Sequence, residues 1–352
     1  MKRSFCSLAL ALTTLAISAN TLLAGSDDGR FDIYWVDVEG GAATLMVTPR
    51  GESVLIDSGN PGHRDPDRIV KVATQVAGLK RIDFLITTHY HRDHYGGAAT
   101  LAKLIPIGTV YDNGVFDQMP DNPGAAYFEF PSERRVVINP GDVLPLQQND
   151  GQTQISMRCL ATRKTFLKPA NNAPDNVINC AAHRPKSRDG SDNANSVVTL
   201  VEFGPFRFFH AGDLSWNQEV QLVCPKNQIG EVDVYQVTHH GLDSSNNPVV
   251  LQSLKPIVAI MNNGHKKGCL PEVFANLKET KSLQAIYQVH KNLRPDGAMN
   301  NTDSKFIANH QATKDCQGNY IALSVAADGN SYTVSIPAHG HQATYRTRAG
   351  KN

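Results

Sequence analysis

The chain has 352 residues, 41% apolar and 19% charged, a composition that allows a large buried core and excludes collagen-like, coiled-coil and disordered architectures. Lys and Arg total 34 against 33 for Asp and Glu, a formal charge of +1 with no general field for polyanions or membranes. Charge therefore gives no support to a nucleic-acid partner, which would have to be held locally.

Lys2 and Arg3 precede an apolar stretch from Leu8 to Ile17, followed by Ser18, Ala19 and Ala24. This pattern predicts a signal peptide over residues 1–24, cleaved after Ala24 or Ala19, and a secreted or periplasmic mature chain. No later segment is apolar enough to span a membrane. Cleavage removes Cys6 and leaves Cys159, Cys180, Cys224, Cys269 and Cys316, an odd set, so at least one thiol stays unpaired in an oxidising compartment. Disulfides between Cys159 and Cys180 or between Cys269 and Cys316 are both open. The absence of a CxxC pattern sets the cysteines aside as zinc ligands.

Residues 25–352 read as one domain. Phe31 to Val38 forms a strand, Glu39-Gly40-Gly41 turns, Ala43 to Thr48 runs extended, and Ser53 to Ile56 is a short strand ending in Asp57-Ser58-Gly59. A helix from Asp67 to Ala77 places Ile69, Val72, Ala73 and Val76 on one face and is stopped by Gly78. The strand Ile82 to Thr87 leads into His89-Tyr90-His91-Arg92-Asp93-His94, then a helix from Gly97 to Leu104 and a strand from Thr109 to Tyr111. Residues 112–195, with strands at Arg135 to Ile138 and Ile155 to Ala161, read as an irregular insertion beside the site. Ser196 to Phe203 and Arg207 to His210 make a hairpin ending in Ala211-Gly212-Asp213. The strand Asp233 to Thr238 ends at His239-His240-Gly241, and Lys255 to Met261 precedes Asn262-Asn263-Gly264-His265. A helix from Pro271 to Lys278 and a C-terminal hairpin of Tyr320 to Ala326 and Tyr332 to Ile336 complete the pattern.

The chemistry concentrates at His89 to His94. Histidines two apart on extended backbone point the same way, so His89 and His91 can share one metal, while Asp93 and His94 bend round to a second position. Such a cluster after an apolar strand is costly unless it is solvated or bound. Imidazoles and carboxylates without thiolate favour zinc, two ions for this set, with iron and manganese also compatible.

His89-x-His91-x-Asp93-His94 resembles the HxHxDH signature of the metallo-β-lactamase superfamily. Leu55-Ile56-Asp57-Ser58-Gly59 is similar to its first motif, Ala211-Gly212-Asp213 to its bridging-aspartate motif, and His239 or His240 to its last metal histidine. The resemblance covers about Phe31 to Leu277 and implies a mixed α/β fold, the four-layered αβ/βα sandwich. Asn195-Ser196-Val197-Val198, and His239-His240-Gly241 followed by Asn263-Gly264-His265, look like the branch of the ComEC-type competence proteins and choline-phosphate esterases. Val38-Glu39-Gly40-Gly41-Ala42 departs from that branch's Val-Gly-Gln-Gly-Asp, and competence-channel membrane segments are absent from the pattern, so DNA uptake is not implied.

Asp213 is expected to bridge two cations about 3.5–4 Å apart that share a hydroxide. Asp57 is expected to accept backbone hydrogen bonds and to orient a ligating histidine. His210 reads as a packed, hydrogen-bonded residue. The third histidine that the resemblance implies for the first metal has His183 as its one counterpart before His210. On an extended chain His239 and His240 face opposite ways; the resemblance makes His240 the ligand and His239 the residue nearer substrate. The expectation is a metal-dependent hydrolase with Asp93, His239, His240 and His265 as catalytic residues, in which a metal-bridging hydroxide attacks and His240 or His265 assists the leaving group of a small-molecule or polymer phosphodiester. Lactone, thioester or β-lactam hydrolysis and a catalytically silent envelope binding module are the alternatives.

Overall fold

The computed structural model describes residues 28–148, 150–311 and 316–348. The signal-peptide segment, residues 1–24, lies outside them. Six strands open the first sheet: β1 (Phe31–Trp35), β2 (Thr44–Val47), β3 (Ser53–Ile56), β4 (Ile82–Ile86), β5 (Ile107–Asp112) and β6 (Arg134–Val137). The second sheet holds β7 (Ile155–Thr162), β8 (Thr165–Phe166), β9 (Val198–Phe203), β10 (Phe206–His210), β11 (Val234–Gln236), β12 (Val258–Met261), β13 (Ala285–His290) and β14 (Ile307–Asn309). The chain then returns to the first with β15 (Ile321–Val325), β16 (Ser331–Ile336) and β17 (His341–Arg346). The strand orders are β17-β16-β15-β1-β2-β3-β4-β5-β6 and β14-β13-β12-β11-β10-β9-β7-β8.

Alternation along the strands explains the layering. Ile33, Trp35, Val54 and Ile56 enter the apolar cluster between the sheets, where they join Phe206, Phe208 and Val234. Their neighbours Tyr34 and Leu55 face the other way, into a cluster with Ile69 and Leu101 from the helices Arg64–Lys71 and Ala98–Leu104 and with Val72 just after the first of them. On the far side Phe209, Tyr235 and Ala259 pack against Val250, Leu254, Phe274 and Leu277 of the helices Pro248–Leu254 and Pro271–Glu279. Three apolar interfaces separate helix, sheet, sheet and helix, the expected αβ/βα sandwich. Among the described residues no helix is long and apolar enough to cross a membrane.

Several local expectations shift. The helix expected at Asp67 to Ala77 starts earlier and continues as a π-helical turn over Val72–Val76. Part of the segment 112–195 belongs to the sandwich itself, since β6 pairs with β5 and β7 pairs with β9. Neither disulfide considered above forms. Cys180 pairs with Cys224, a separation of 44 residues, and Cys159, Cys269 and Cys316 remain free thiols. Cys159 cannot reach Cys180, because it sits in the apolar cluster between the sheets, while Asn176 bonds Ser253 and so ties the segment before Cys180 to the outer helix Pro248–Leu254. Closing a loop of this length constrains the unfolded chain, so Cys180→Ser should lose about 2–4 kcal/mol of stability. Urea unfolding of both proteins measures it, and an unchanged midpoint would show that the bridge is energetically idle.

Candidate metal centre

The fold brings five strand ends to one edge. β3 pairs parallel with β4, and β10, β11 and β12 run parallel to one another, so the segments after each emerge together. The residue after β3 is Asp57, in the left-handed region at φ 62°. Its Oδ1 accepts from the Thr88 amide at 2.8 Å, and its Oδ2 lies 2.7 Å from His94 Nδ1. After β4 the chain extends through His89 and turns helical at Arg92–Tyr95, which folds Asp93 and His94 back toward the strand end. After β10, Gly212 takes φ 52°, and a Cβ there would sit 2.9 Å from Thr88 Cβ; this close approach sets Asp213 against the first sheet's edge.

The four groups that meet are Asp93, His94, Asp213 and His240, each with one ligand atom within 4.8 Å of the others. His94 Nε2 is 3.1 Å from Asp213 Oδ2, and His240 Nε2 is 3.3 Å from Asp213 Oδ2 and 3.2 Å from Asp93 Oδ2. The far ring nitrogens are fixed from behind: His94 Nδ1 by Asp57, and His240 Nδ1 by the Asn262 carbonyl at 3.0 Å. That anchoring turns both Nε2 atoms inward, as metal-ligating histidines require. His89 follows the same rule, with Nδ1 3.0 Å from Thr88 Oγ1 and a buried Nε2 that has no hydrogen-bond partner, 3.9 Å from Asp213 Oδ2. An unpartnered buried imidazole nitrogen aimed at a shared carboxylate fits a cation, so the donor set suits the metal implied by the resemblance.

Electrostatics follow from this crowding. Burial alone would push the Asp213 carboxyl up, but His240, His94 and His239 outweigh it and hold it well below the usual carboxylate range. Burial lowers the His94 imidazole, yet Asp213, Asp57 and Asp93 overcome this and raise it. His89 and His239 lack enough carboxylate neighbours, and burial takes His89 well down and His239 to about 4. Both are neutral near pH 7, with a lone pair free to bind or to accept a proton.

His91 is not part of the four-residue cluster; its ring lies edge-on to His89 at 4.7 Å, and Nε2 stands 3.4 Å from Asp121. His239 and His240 do not face opposite ways. β11 stops at Gln236, and both histidines adopt left-handed backbone, φ 55° and 54°, which turns both rings to Asp213. His239 Nε2 is 3.5 Å from Asp213 Oδ2, and its Nδ1 is 2.9 Å from Ser244 Oγ. His183 is not brought to the cluster; the disulfide segment holds it on the outer layer, where Nδ1 meets Asn247 Nδ2 at 3.0 Å. His265 packs on His290, centroids 5.5 Å apart, because the loop after β12 turns its ring toward the end of β13. His210 is buried and bonded to the Gly212 amide and to Gln236, as its place in a hairpin strand suggests.

Two residues escaped the sequence reading. Lys267 Nζ forms a short ion pair with Asp93 Oδ2, and Asn193 places Nδ2 3.4 Å from His239 Nε2 with a buried, unpartnered Oδ1. A lysine two positions after His265 and an asparagine two before Asn195 carry no local signature. The orienting role of Asp57 is testable with Asp57→Asn, which tolerates the left-handed backbone and removes the charge behind His94. Metal affinity, read by competition with a chelating dye, should fall about 10–100-fold with circular dichroism unchanged; an unaltered affinity would remove Asp57 from this role.

A family model described as the metallo-beta-lactamase superfamily matches residues 36–157. Recombination protein 2 of Haemophilus influenzae is 26% identical over 234 residues, covering 65% of this chain and 24% of that protein. ComE operon protein 3 of Bacillus subtilis is 31% identical over 266 residues, covering 68% of this chain and 29% of its own length. A metal-dependent hydrolase of Polynucleobacter asymbioticus is 33% identical over 106 residues, 29% of this chain and 35% of that one. The chain thus spans between a quarter and about a third of the length of these relatives. With its signature residues gathered at one edge of an αβ/βα sandwich, the chain belongs to the metallo-β-lactamase superfamily of metal-dependent hydrolases and is ComEC-like within it.

Proposed function

We propose that the chain is an exported hydrolase that uses divalent metal, zinc at two adjoining positions, to cleave a phosphodiester. Asp93, His94, Asp213 and His240 would hold one ion, and His89, His91 and Asp213 the other. Bound there, zinc would supply a Lewis acid for a phosphoryl oxygen and a water of lowered pKa.

Lys267 carries the choice of substrate. His94 and His240 are sealed, with side chains 1% exposed, whereas Asp93 is 20% and Lys267 37% exposed, so a substrate would enter on the Asp93 and Lys267 side. An ammonium at that entrance favours an anionic ester over a neutral lactone. Ser244, which holds His239, also lines a cavity of about 540 Å³ together with Lys186, Arg188, Asp189 and Trp216. His239, neutral and fixed through Nδ1, is placed to accept a proton from an attacking water. The Cys180–Cys224 bridge supports export, since such bonds persist in oxidising compartments.

Zinc-loaded protein should hydrolyse bis(p-nitrophenyl) phosphate, lose activity to a chelator and regain it with zinc. Lys267→Met should raise KM for this anion about 10–100-fold, the loss of one charge-assisted hydrogen bond, with little change for a neutral lactone. Faster turnover of the lactone or of a cephalosporin than of the phosphodiester would reject the assignment. His240→Ala should lose about one metal per chain, whereas His239→Ala should keep metal and lose kcat; the reverse pattern exchanges their roles. Intact-mass measurement of the exported protein should show residues 1–24 removed, and a full-length mass would contradict export by cleavage.

A further inference from the structure

Beyond the edge that holds Asp213, a second set of ligand-type side chains meets where β1, β13 and β14 end. Asp37 follows β1, His290 is the last residue of β13, Asn309 the last of β14, and Cys316 comes back beside them. Cys316 Sγ lies 3.4 Å from Asp37 Oδ2, 3.9 Å from His290 Nε2 and 3.8 Å from Asn309 Oδ1. The Asp37, His290 and Cys316 ligand atoms all lie within 4.8 Å of one another. Zinc-to-ligand lengths place tetrahedral donors about 3.5 Å apart, so the three distances from the sulfur need to close by no more than a few tenths of an ångström.

The orientation of each group suits a cation. His290 Nδ1 is 3.2 Å from the Lys291 carbonyl and donates to it, which leaves the Nε2 lone pair directed at the sulfur. Asp37 is fully buried, with Oδ1 taken by the Glu39 amide at 2.9 Å and Oδ2 turned to the thiol. The other free thiols differ: Cys159 and Cys269 are buried in apolar clusters and bond only to backbone carbonyls. Arg68 contributes one positive charge, 3.4 Å from Asp37 and 3.1 Å from Glu39. A nucleophilic role is disfavoured, because burial raises the Cys316 thiol above its ordinary value.

We propose that Asp37, His290 and Cys316 form a second metal site for a thiolate-binding divalent cation of the zinc type, with Asn309 Oδ1 as a fourth donor. On binding, the sulfur–hydrogen bond breaks, its proton leaves to solvent, and a sulfur–metal bond forms with no change of oxidation state. The site is independent of the hydrolase reading. It reverses the sequence expectation for the cysteines, because its donors come from segments too far apart to show a ligand spacing. Its mechanical effect falls on the loop after β12: Asn263 Nδ2 donates to the His290 carbonyl at 2.6 Å, His265 packs on the His290 ring, and Lys267 ends the same loop.

Cobalt(II) titration of metal-free protein tests the proposal. The cluster around Asp213 offers only nitrogen and oxygen, so a near-ultraviolet sulfur-to-cobalt charge-transfer band would report Cys316 alone. The band is expected in the wild type, absent in Cys316→Ser and His290→Ala, and retained in Cys269→Ser. Metal content should fall by one per chain in Cys316→Ser. Absence of the band from the wild type, which needs no variant to fold, or its survival in Cys316→Ser, overturns the site. Asp213→Asn should weaken the visible bands and leave the near-ultraviolet band in place, which separates this proposal from the catalytic one.

Discussion

The Asp213 carboxylate is the point on which the rest of the site depends. His94, His239, His240 and His89 all turn a ring nitrogen toward its Oδ2, at 3.1, 3.5, 3.3 and 3.9 Å. A carboxylate that is almost wholly buried would ordinarily be neutralised by desolvation. Here the surrounding imidazoles keep it ionised, and it in turn makes their convergence tolerable. Neither side of this arrangement is stable alone, because removing Asp213 would leave several polar rings buried without a counter-charge.

Backbone strain is the means by which the sandwich delivers these groups. Asp57, Gly212, His239 and His240 all have positive φ, each directly after or close to a strand end. A straight continuation of β11 would send one histidine of the pair into the helical layer. Left-handed residues at both positions curl the chain so that the two rings share one carboxylate. Non-glycine residues in this region cost of order 1 kcal/mol or more each, and they persist because the surrounding hydrogen bonds over-determine them. Asn246 shows how: its Nδ2 donates to the Thr238 carbonyl at 2.9 Å and to the Leu242 carbonyl at 3.2 Å, bracketing the turn.

The two donor clusters are linked through backbone instead of through charge. Gly40 has φ 91°, and a Cβ there would lie 3.0 Å from Lys267 Cβ and 3.3 Å from Gly264 N, so the turn after Asp37 lies directly on the loop that carries Lys267. At the end of that turn the Ala42 amide donates to the Asp93 carbonyl at 3.0 Å. The turn after Asp37 thus touches both partners of the Lys267–Asp93 ion pair. The departure of Val38-Glu39-Gly40-Gly41-Ala42 from the related branch falls in this contact, where Glu39 also engages Arg64 and Arg68.

The sequence alone determined whatever depends on neighbours along the chain. Alternation and turn residues located most strands of both sheets, and β3 matched residue for residue. The spacing of His89, His91, Asp93 and His94 pointed to a candidate metal-binding segment, and the fold brings Asp93 and His94 of it into the four-residue cluster, because a strand followed by a short helical turn needs no distant partner to present them. The tertiary structure decided what depends on meetings across the sandwich. Lys267 lies 174 residues from Asp93, and Cys316 lies 279 from Asp37, separations at which no periodicity or spacing survives. The same reason governs the exclusion of His183, the pairing of Cys180 with Cys224 and the shared direction of His239 and His240: each is fixed by which strand ends lie side by side, and sheet order is a property of the whole core.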